Sequence, residues 1–295
     1  MKTVAVIGAG SALGAELAGQ LREAGVEVLR IGRRQECDFS LDLDDALAVL
    51  PEGLPRVDVV FHCAAAFADD SDGGRWSNGK TNVLGCFNVL RLMQQLQCKA
   101  CIYAGSLFST PGVEVLGRSS YGLSKALGEQ VLAWGLTESR SDGVFCSLRL
   151  PQLYDVMGRC CQHQPWLGRI VAYASRGLDL NMPAPGGSRN FLHMQDAARL
   201  LIHAWQEGVN GTWDVVHPES LDYQQVAQCA YDVFGAGGHL RIAADKQPFR
   251  TLNLPASGGA LFDRLRIWPE ISMERGLTMI RDAGHAGAFG PMDVT

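Results

Sequence analysis

The chain has 295 residues, of which 47% are hydrophobic and 19% charged, and its formal net charge is −5. This length allows one large domain or two modest ones with a substantial core. The balance is that of a globular protein, and the negative charge argues against general binding to nucleic acid or to an anionic membrane. No apolar run reaches the ~20 residues needed to cross a bilayer, and no signal-peptide pattern opens the chain, so a cytoplasmic protein is expected.

The first half of the chain alternates short apolar runs with segments of helical periodicity. Such alternation is typical of an α/β fold with a doubly wound parallel sheet. The predicted strands are Thr3–Ile7, Val26–Ile31, Cys37–Phe39, Val57–Cys63, Ala100–Ala104 and Phe145–Leu150. The predicted helices are Ala12–Ala24, Asp44–Leu50, Asn82–Gln97 and Tyr121–Gly135.

The regular alternation weakens after Pro151. Residues 151–168 are predicted to form a long loop, and the later helices and strand are less evenly spaced. We therefore divide the chain into a dinucleotide-binding domain, residues 1–150, and a smaller, mixed substrate-binding lobe, residues 151–189 and 217–295. Residues 190–216 are expected to return to the sheet of the first domain. The elements predicted in this half are helices Ile170–Arg176, Asp196–Gln206, Leu221–Phe234 and Ser272–Ala283 and strand Gly211–Val216.

A glycine-rich turn, VIGAGSALG, joins the first predicted strand to the first predicted helix. Gly8 permits a tight turn, Gly10 lets the backbone approach a pyrophosphate, and Gly14 lets the helix pack near the strand. The motif is weak by itself, but its place between a strand and a helix strengthens it. The turn predicts a dinucleotide site.

The second predicted strand ends in RIGRR. An NAD site usually has a carboxylate here to bind the ribose 2′-hydroxyl, and this chain has Gly32 followed by Arg33 and Arg34. A guanidinium binds a 2′-phosphate, so the sequence favours NADP(H) over NAD(H). The alternative is that both arginines are a solvated loop pair. Asp42, with Leu43 beside it, is placed to meet the adenine.

The segment YGLSK places Tyr121 and Lys125 four residues apart, on one face of a helix. A nearby ammonium lowers the pKa of a phenol from its usual ~10, which suits proton transfer during hydride transfer to a carbonyl carbon. Ser106, just past a predicted strand, can bind the substrate oxygen. Four-residue spacings of this kind are common by chance, so it is the conjunction with the glycine turn that points to an oxidoreductase.

The chain resembles the extended branch of the short-chain dehydrogenase/reductase family, the NAD-dependent epimerase/dehydratase-like proteins. The segments that carry the resemblance are VIGAGSALG, VDVVFHCAAA, KTNVLGCFNVLRLM, CIYAGS, YGLSK, LRLPQLYD and RNFLHMQDAARLLIHA. The resemblance implies a Rossmann-type fold with Tyr121 as acid/base, Lys125 as its support and Ser106 as substrate-oxygen donor. It also implies cofactor contacts from Tyr121 and Lys125 and from Gly8, Gly10, Ser11, Ala12, Leu13, Gly14, Arg33, Arg34, Asp42, Leu43, Ala64, Ala65, Ala66, Asn82, Pro151 and Leu153. Substrate contacts are expected from Ser106, Phe67 and Arg189.

Departures from the family pattern narrow the reaction. Sugar dehydratases of this family carry an Asp-Glu pair after the serine, and here Leu107 and Phe108 stand there, so a dehydratase is disfavoured. An epimerase retains NAD, whereas a reductase consumes NADPH at each turnover. We therefore predict an NADPH-dependent ketoreductase acting on a 4-keto nucleotide sugar or a similar carbonyl. The alternatives are an NAD-dependent nucleotide-sugar epimerase and a non-catalytic NADP-binding sensor or scaffold.

The nine cysteines include one CxxC, Cys98 and Cys101, but no second spaced pair, so no metal site is predicted. Reduced thiols in a cytosolic protein are the expected reading. The resemblance implies a homodimer in which helices Asn82–Gln97 and Tyr121–Gly135 pair across the interface.

Overall fold

A computed structural model describes residues 2–45, 47–50, 52–114, 118–138 and 142–292 of the chain. The chain forms two compact units. The first comprises residues 1–150, 198–215 and 259–268, and the second comprises residues 151–197, 216–258 and 269–295. No described helix is long and apolar enough to cross a membrane.

A parallel sheet of seven strands forms the centre of the first unit, in the order β10-β6-β5-β4-β1-β2-β3. Its strands are β1 (Thr3–Ile7), β2 (Glu27–Gly32), β3 (Phe39–Ser40), β4 (Val59–His62), β5 (Ala100–Ser106), β6 (Val144–Leu150) and β10 (Gly211–Asp214). Every residue of β4 and nearly every residue of β1 and β5 is buried, which explains why these strands read as unbroken apolar runs. The α/β fold with a doubly wound parallel sheet is as predicted.

Helices surround this sheet. They are α1 (Ala12–Glu23), α2 (Asp72–Gly79), α3 (Gly85–Gln95), α4 (Ser120–Ala133), α6 (Met194–Gln206), which continues from the second unit, and α8 (Gly259–Leu265). A π-helical turn, Lys80–Leu84, joins α2 to α3, and another, Trp134–Glu138, follows α4. The core on one side contains Leu92 and Met93 of α3, Leu132 of α4 and Tyr103 of β5.

The order of the strands indicates where a ligand binds. The chain moves outward from β1 to β2 and β3 and then crosses to β4 on the other side of β1. In open α/β sheets, ligands bind at the carboxyl ends of the strands where the order reverses. That position is the end of β1 and β4, at Gly8 and Cys63.

The second unit contains two small sheets. A mixed sheet has the order β11-β9-β7, and a parallel pair joins β12 to β8. The elements are β7 (Gln152–Tyr154), β8 (Leu180–Met182), β9 (Arg189–His193), β11 (Ser220–Leu221) and β12 (Leu240–Ile242), with helices α5 (Pro165–Ser175), α7 (Tyr223–Phe234) and α9 (Met273–Asp282). Of residues 190–216, Gly211–Asp214 joins the seven-stranded sheet, whereas β9 pairs within this mixed sheet.

The predicted helix Asp44–Leu50 is wrong for the described residues of that segment, which are not helical. Asp42 accepts a hydrogen bond from the Asp44 N–H at 3.0 Å, a local turn that competes with a helix. After it, Leu47 and Val49 are exposed while Ala48 and Leu50 are buried. This alternation is that of an extended chain.

Two helices begin earlier than predicted. The segment predicted to start at Asn82 is helical from Asp72, where Ser71 caps the first turn through the Gly74 N–H at 3.1 Å. No helix was predicted for this polar, glycine-rich segment. Likewise α5 starts at Pro165 because proline suits the first helical position. The predicted loop before it contains β7.

Candidate active site

The glycine-rich turn has the form that a close-packed phosphate cradle requires. Gly8 has a φ of +83°, and its N–H and that of Ala9 both donate to the Ile31 carbonyl, at 2.8 and 3.2 Å. A Cβ on Gly8 would lie 2.6 Å from the Ala64 nitrogen, and one on Gly14 would lie 2.2 Å from the Gly8 carbonyl oxygen. Both positions therefore exclude a side chain.

The cradle opens at the start of α1. Ser11 is the N-cap, and its hydroxyl accepts the Gly14 N–H at 3.0 Å. Ala12 and Leu13 form the first turn, whose N–H groups have no partner within the helix and favour an anion. The closely packed turn and this helix end fit a dinucleotide pyrophosphate.

The arginines after β2 lie against this turn. A Cβ on Gly10 would lie 2.8 Å from the Arg34 Cδ, so the absence of a side chain there makes room for Arg34. Arg34 also pairs with Glu36 at 3.6 Å, with both side chains well exposed, and Arg33 is exposed. Asp42 is half-buried. Leu43 is 6% exposed and its side chain packs in the core, so a cofactor contact from that side chain stays a prediction.

The segment after β4 is held by Asn82. Ala64 is half-buried and Ala65 exposed. The Asn82 side chain accepts the Ala66 N–H at 2.8 Å and donates to the Ala66 carbonyl at 2.9 Å. A third bond, also 2.9 Å, reaches the Ser124 hydroxyl. The side-chain amide of Asn82 therefore supports the loop, because its hydrogen bonds go to Ala66 and Ser124.

Ser106, Tyr121 and Lys125 are brought together at the ends of β5 and α4. Ser106 ends β5 and is 7% exposed, and its side chain lies close enough to the Tyr121 hydroxyl to act on the pKa of that phenol. Gly122 allows this approach, because a Cβ there would lie 2.5 Å from the Phe108 carbonyl oxygen. Phe67 lies against Tyr121, with ring centroids 4.4 Å apart.

Lys125 is buried at 2% exposure, and its ammonium donates to the Ala104 carbonyl at 2.7 Å. The same ammonium lies 4.0 Å from the centroid of the Tyr103 ring. Burial lowers the pKa of Lys125 to about 8, although the neighbouring Cys86, Cys63 and Glu129 oppose that shift. The group is therefore a cation near neutrality that deprotonates more readily than an ordinary lysine.

The expectation that the pKa of Tyr121 is lowered is wrong for this arrangement. Burial raises the pKa of Tyr121 to about 12, and the hydrogen bond from Ser106 offsets only part of that effect. The desolvation of a phenolate outweighs its stabilisation here, since the Lys125 ammonium is directed to the Ala104 carbonyl. Tyr121 is a neutral phenol, the form that donates a proton.

Three of the predicted site residues lie in the second unit. Pro151 precedes β7, and Leu153 lies within it, paired with Leu192. Arg189 is 5% exposed, and its guanidinium donates to the backbone carbonyls of Gly187 and Ser188 at 3.3 and 3.2 Å. These bonds hold the turn before β9, so a substrate role for Arg189 stays a prediction.

Sequence reasoning overlooked a largely buried ion pair, between Arg149 and Glu129, one helical turn beyond Lys125. Arg149 of β6 binds the Glu129 carboxylate through two nitrogens, at 2.7 and 3.2 Å, and the Ser147 hydroxyl donates to Glu129 at 2.6 Å. Glu129 is four residues beyond Lys125, and that helical spacing was the available signal. The pair fixes α4 to the strand beside β5.

Comparison with known proteins identifies the family. A family model described as NAD dependent epimerase/dehydratase family matches residues 4–215, most of the chain. The chain belongs to the NAD-dependent epimerase/dehydratase family. It is accordingly an NAD(P)-dependent enzyme of the short-chain dehydrogenase/reductase type, and the sequence resemblance is confirmed.

Solved structures of low sequence identity share the fold. UDP-N-acetylglucosamine 4-epimerase from Bacillus cereus is 20% identical, with a TM-score of 0.76, and the match covers 100% of this chain and 99% of that one. UDP-glucose 4-epimerase from Thermotoga maritima is 16% identical, with a TM-score of 0.76 and coverage of 97% and 99%. RMD from Pseudomonas aeruginosa is 19% identical, with a TM-score of 0.78 and coverage of 97% and 100%.

Proposed function

We propose that this protein is an NADPH-dependent ketoreductase that reduces a 4-keto nucleotide sugar or a related small carbonyl compound. The observation that carries the reaction type is a neutral Tyr121 beside Ser106, with the buried Lys125 one helical turn away. A reductase needs an acid at the substrate oxygen, and a phenol whose pKa is raised to about 12 holds that proton at neutral pH.

Each residue has a separate task in this reaction. NADPH, when bound, supplies the hydride for the carbonyl carbon. Ser106 donates a hydrogen bond to the carbonyl oxygen, where negative charge develops, and Tyr121 gives its proton to the same oxygen. The ammonium of Lys125, one helical turn away, donates to the Ala104 carbonyl, so its positive charge favours the phenolate that remains through the field across that turn and not through a direct bond. Leu107, at 3% exposure, and Phe108 offer no second acid or base, so elimination of water is not part of the proposal.

The cofactor preference rests on Arg33 and Arg34. Both are exposed at the end of β2, where a carboxylate would repel a 2′-phosphate, and Arg34 lies over Gly10 of the phosphate turn. A guanidinium there binds the 2′-phosphate with charge-assisted hydrogen bonds. RMD from Pseudomonas aeruginosa, of the same fold, was solved with NADPH.

The substrate class is proposed from the neighbours of the same fold. Two of them are named as 4-epimerases of UDP-sugars, and one was solved with UDP-glucose. These neighbours also support the alternative, an NAD-dependent nucleotide-sugar epimerase. In that reaction the same tyrosine would take a proton and later return it, while bound NAD would accept the hydride from the sugar and give it back.

Cofactor titrations distinguish the two functions. Protein freed of copurified dinucleotide is titrated with NADPH and with NADH while tryptophan fluorescence is followed. We expect NADPH to bind at least tenfold more tightly, a difference of about 1.4 kcal/mol, and Arg34→Ala to remove most of that preference. Arg56→Ala, an exposed arginine outside the turn, serves as the control. Firmly retained NAD, or a preference for NADH, would favour the epimerase.

A further inference from the structure

Two buried asparagines bind the loop that follows β4. Asn78 and Asn82 are 0% and 2% exposed. Asn78 accepts the Ala68 N–H at 2.9 Å and donates to the Ala68 carbonyl at 3.1 Å. Asn82 makes the same two bonds with Ala66, at 2.8 and 2.9 Å. Each side-chain amide therefore pairs with one loop residue as the backbone of a neighbouring strand would.

The same two asparagines also bind the helix that carries Tyr121. Asn78 donates to the Ser120 hydroxyl and Asn82 to the Ser124 hydroxyl, each at 2.9 Å. Ser124 in turn donates to the Tyr121 carbonyl at 2.9 Å. Both pairs are spaced by four residues, so each pair lies on one helix face. Loop and helix are thereby fixed to the same two side chains.

Phe67 occupies the position between the two bound loop residues. Its ring meets the Tyr121 ring edge to face, at 4.4 Å and 67°, and its side chain is still 45% exposed. Because the backbone on both sides is held by hydrogen bonds, the ring has a fixed place beside the phenol. The exposed part of the side chain faces solvent.

We propose that Asn78 and Asn82 are positioning residues that hold Phe67 against Tyr121, and that Phe67 selects carbonyl substrates with a flat apolar face. The C–H face of a pyranose ring is such a face, and aromatic side chains provide a large, rigid contact for it. Substrate selection by Phe67 rests on the ketoreductase function proposed above, whereas the positioning role does not.

Nitration of tyrosine by tetranitromethane, followed by peptide mass spectrometry, tests the positioning role without turnover. In Asn78→Ala and Phe67→Ala we expect the rate of Tyr121 nitration to rise at least threefold. The matched control is Asn88→Ala, a 2% exposed asparagine on α3 that donates to the Asp45 carbonyl instead, and it should nitrate as the wild type does. Wild-type rates in Asn78→Ala, or an equal rise in Asn88→Ala, would overturn the proposal.

Tyr103 reports on folding in the same experiment, since at 1% exposure it should stay unmodified. If Tyr103 reacts in the Asn78→Ala variant, that variant is not properly folded and Asn78→Asp is used instead. An aspartate at this position still accepts the Ala68 N–H but donates to neither Ala68 nor Ser120, so the rate of Tyr121 nitration should again rise. The half-exposed Phe67→Ala variant tests the shielding of Tyr121 independently.

Steady-state reduction of cyclohexanone and of acetone with NADPH tests whether Phe67 selects substrates that have an apolar ring face. We expect Phe67→Ala to lower the ratio of the two kcat/KM values, cyclohexanone over acetone, at least fivefold, with the affinity for NADPH unchanged. An unchanged ratio would refute selection by Phe67. A wild-type protein that reduces neither ketone would refute selection of simple ketones by Phe67. The ketoreductase would then still be decided by the cofactor titrations, and the positioning role by the nitration result.

Discussion

At the scale of single residues, Tyr121 shows how burial decides the protonation state of a site. Its pKa is raised to about 12 because a phenolate loses hydration there, and the hydrogen bond from Ser106 acts in the opposite direction. The result is a neutral phenol that keeps its proton throughout the physiological pH range, which suits reduction of a carbonyl.

Tyr121→Phe tests that role. The variant keeps the ring and its contact with Phe67 but removes the proton. We expect kcat to fall by roughly 10²–10⁴, the usual contribution of a general acid, while the dissociation constant of NADPH changes less than twofold. Steady-state kinetics and fluorescence titration measure the two values. Tyr231→Phe, which removes a hydroxyl bonded to the Leu178 carbonyl, is the control. Undiminished turnover in Tyr121→Phe would refute the mechanism.

Lys125 lies among groups that act on its charge in both directions. Burial lowers its pKa to about 8, and Cys86, Cys63 and Glu129 act to raise it. His62, 1% exposed, has a pKa lowered to about 3, so it is neutral and adds no competing charge near pH 7. The lysine is thus positively charged below about pH 8 and neutral above it.

The pH dependence of reduction should follow this titration. Because the charge of Lys125 stabilises the phenolate, we expect kcat to fall as the pH rises through about 8, well below the pKa of Tyr121 itself. Lys125→Arg retains a charge at all these pH values. Its rates should be lower, yet the fall near pH 8 should be absent. A wild-type profile that is flat up to pH 10 would contradict this assignment.

At the scale of elements, close packing of glycines determines where the helices lie. A Cβ on Gly14 would meet the Gly8 carbonyl, and one on Gly128 of α4 would lie 2.1 Å from the Asn82 carbonyl oxygen. Helix α1 therefore rests directly on the phosphate turn, and α4 rests directly on the π-helical turn that contains Asn82. Helix α4 is capped by Ser119, whose hydroxyl accepts the Gly122 N–H at 3.1 Å.

Helix α1 contains one closely packed glycine, Gly14, and one unpacked glycine, Gly19, so the effect of packing can be compared within one helix. Gly14→Ala places a Cβ against backbone, so we expect a loss of 1–3 kcal/mol in the free energy of unfolding, roughly the cost of overpacking, and weaker dinucleotide binding. Gly19, on the same helix, has no atom within 4 Å of such a Cβ. Gly19→Ala should instead stabilise the protein by about 0.5–1 kcal/mol through helix propensity. Urea unfolding measures both, and equal effects would refute the packing argument.

At the scale of the whole molecule, the helices around Tyr121 expose large apolar side chains. Leu84 and Phe87, three residues apart, are 54% and 45% exposed, and Leu123 and Leu127 of α4 are 46% and 39% exposed. The segments that carry these side chains pack against one another, and exposed apolar side chains grouped in this way usually mark an interaction site. It agrees with the homodimer expected from the family resemblance, which stays a prediction.

Light scattering tests the dimer. At micromolar concentration we expect twice the chain mass of 31.9 kDa. Leu84→Glu and Leu127→Glu should each shift the protein toward the monomer, because a buried unpaired carboxylate is costly. Val49→Glu, at a 91% exposed apolar residue outside these helices, should leave the mass unchanged. A monomeric wild type would remove the proposal.

The sequence by itself determined the sheet and the main residues of the candidate site. Buried parallel strands read as continuous apolar runs, and β1, β4 and β5 were predicted within a few residues. The glycine turn and YGLSK were recognisable because their chemistry depends on residues close together in the chain. Asp72–Gly79 was missed because local composition, rich in glycine and polar residues, outweighed the cap at Ser71.

Only the tertiary structure decided how distant residues act on one another. The pKa of Tyr121 depends on burial and on where the Lys125 ammonium is directed, and neither follows from a four-residue spacing. The bonds that join Asn78 and Asn82 to the loop and to α4 link residues 10 to 42 positions apart. Spacing along a helix can be read from the chain, whereas desolvation and long-range hydrogen bonding exist only once the chain has folded.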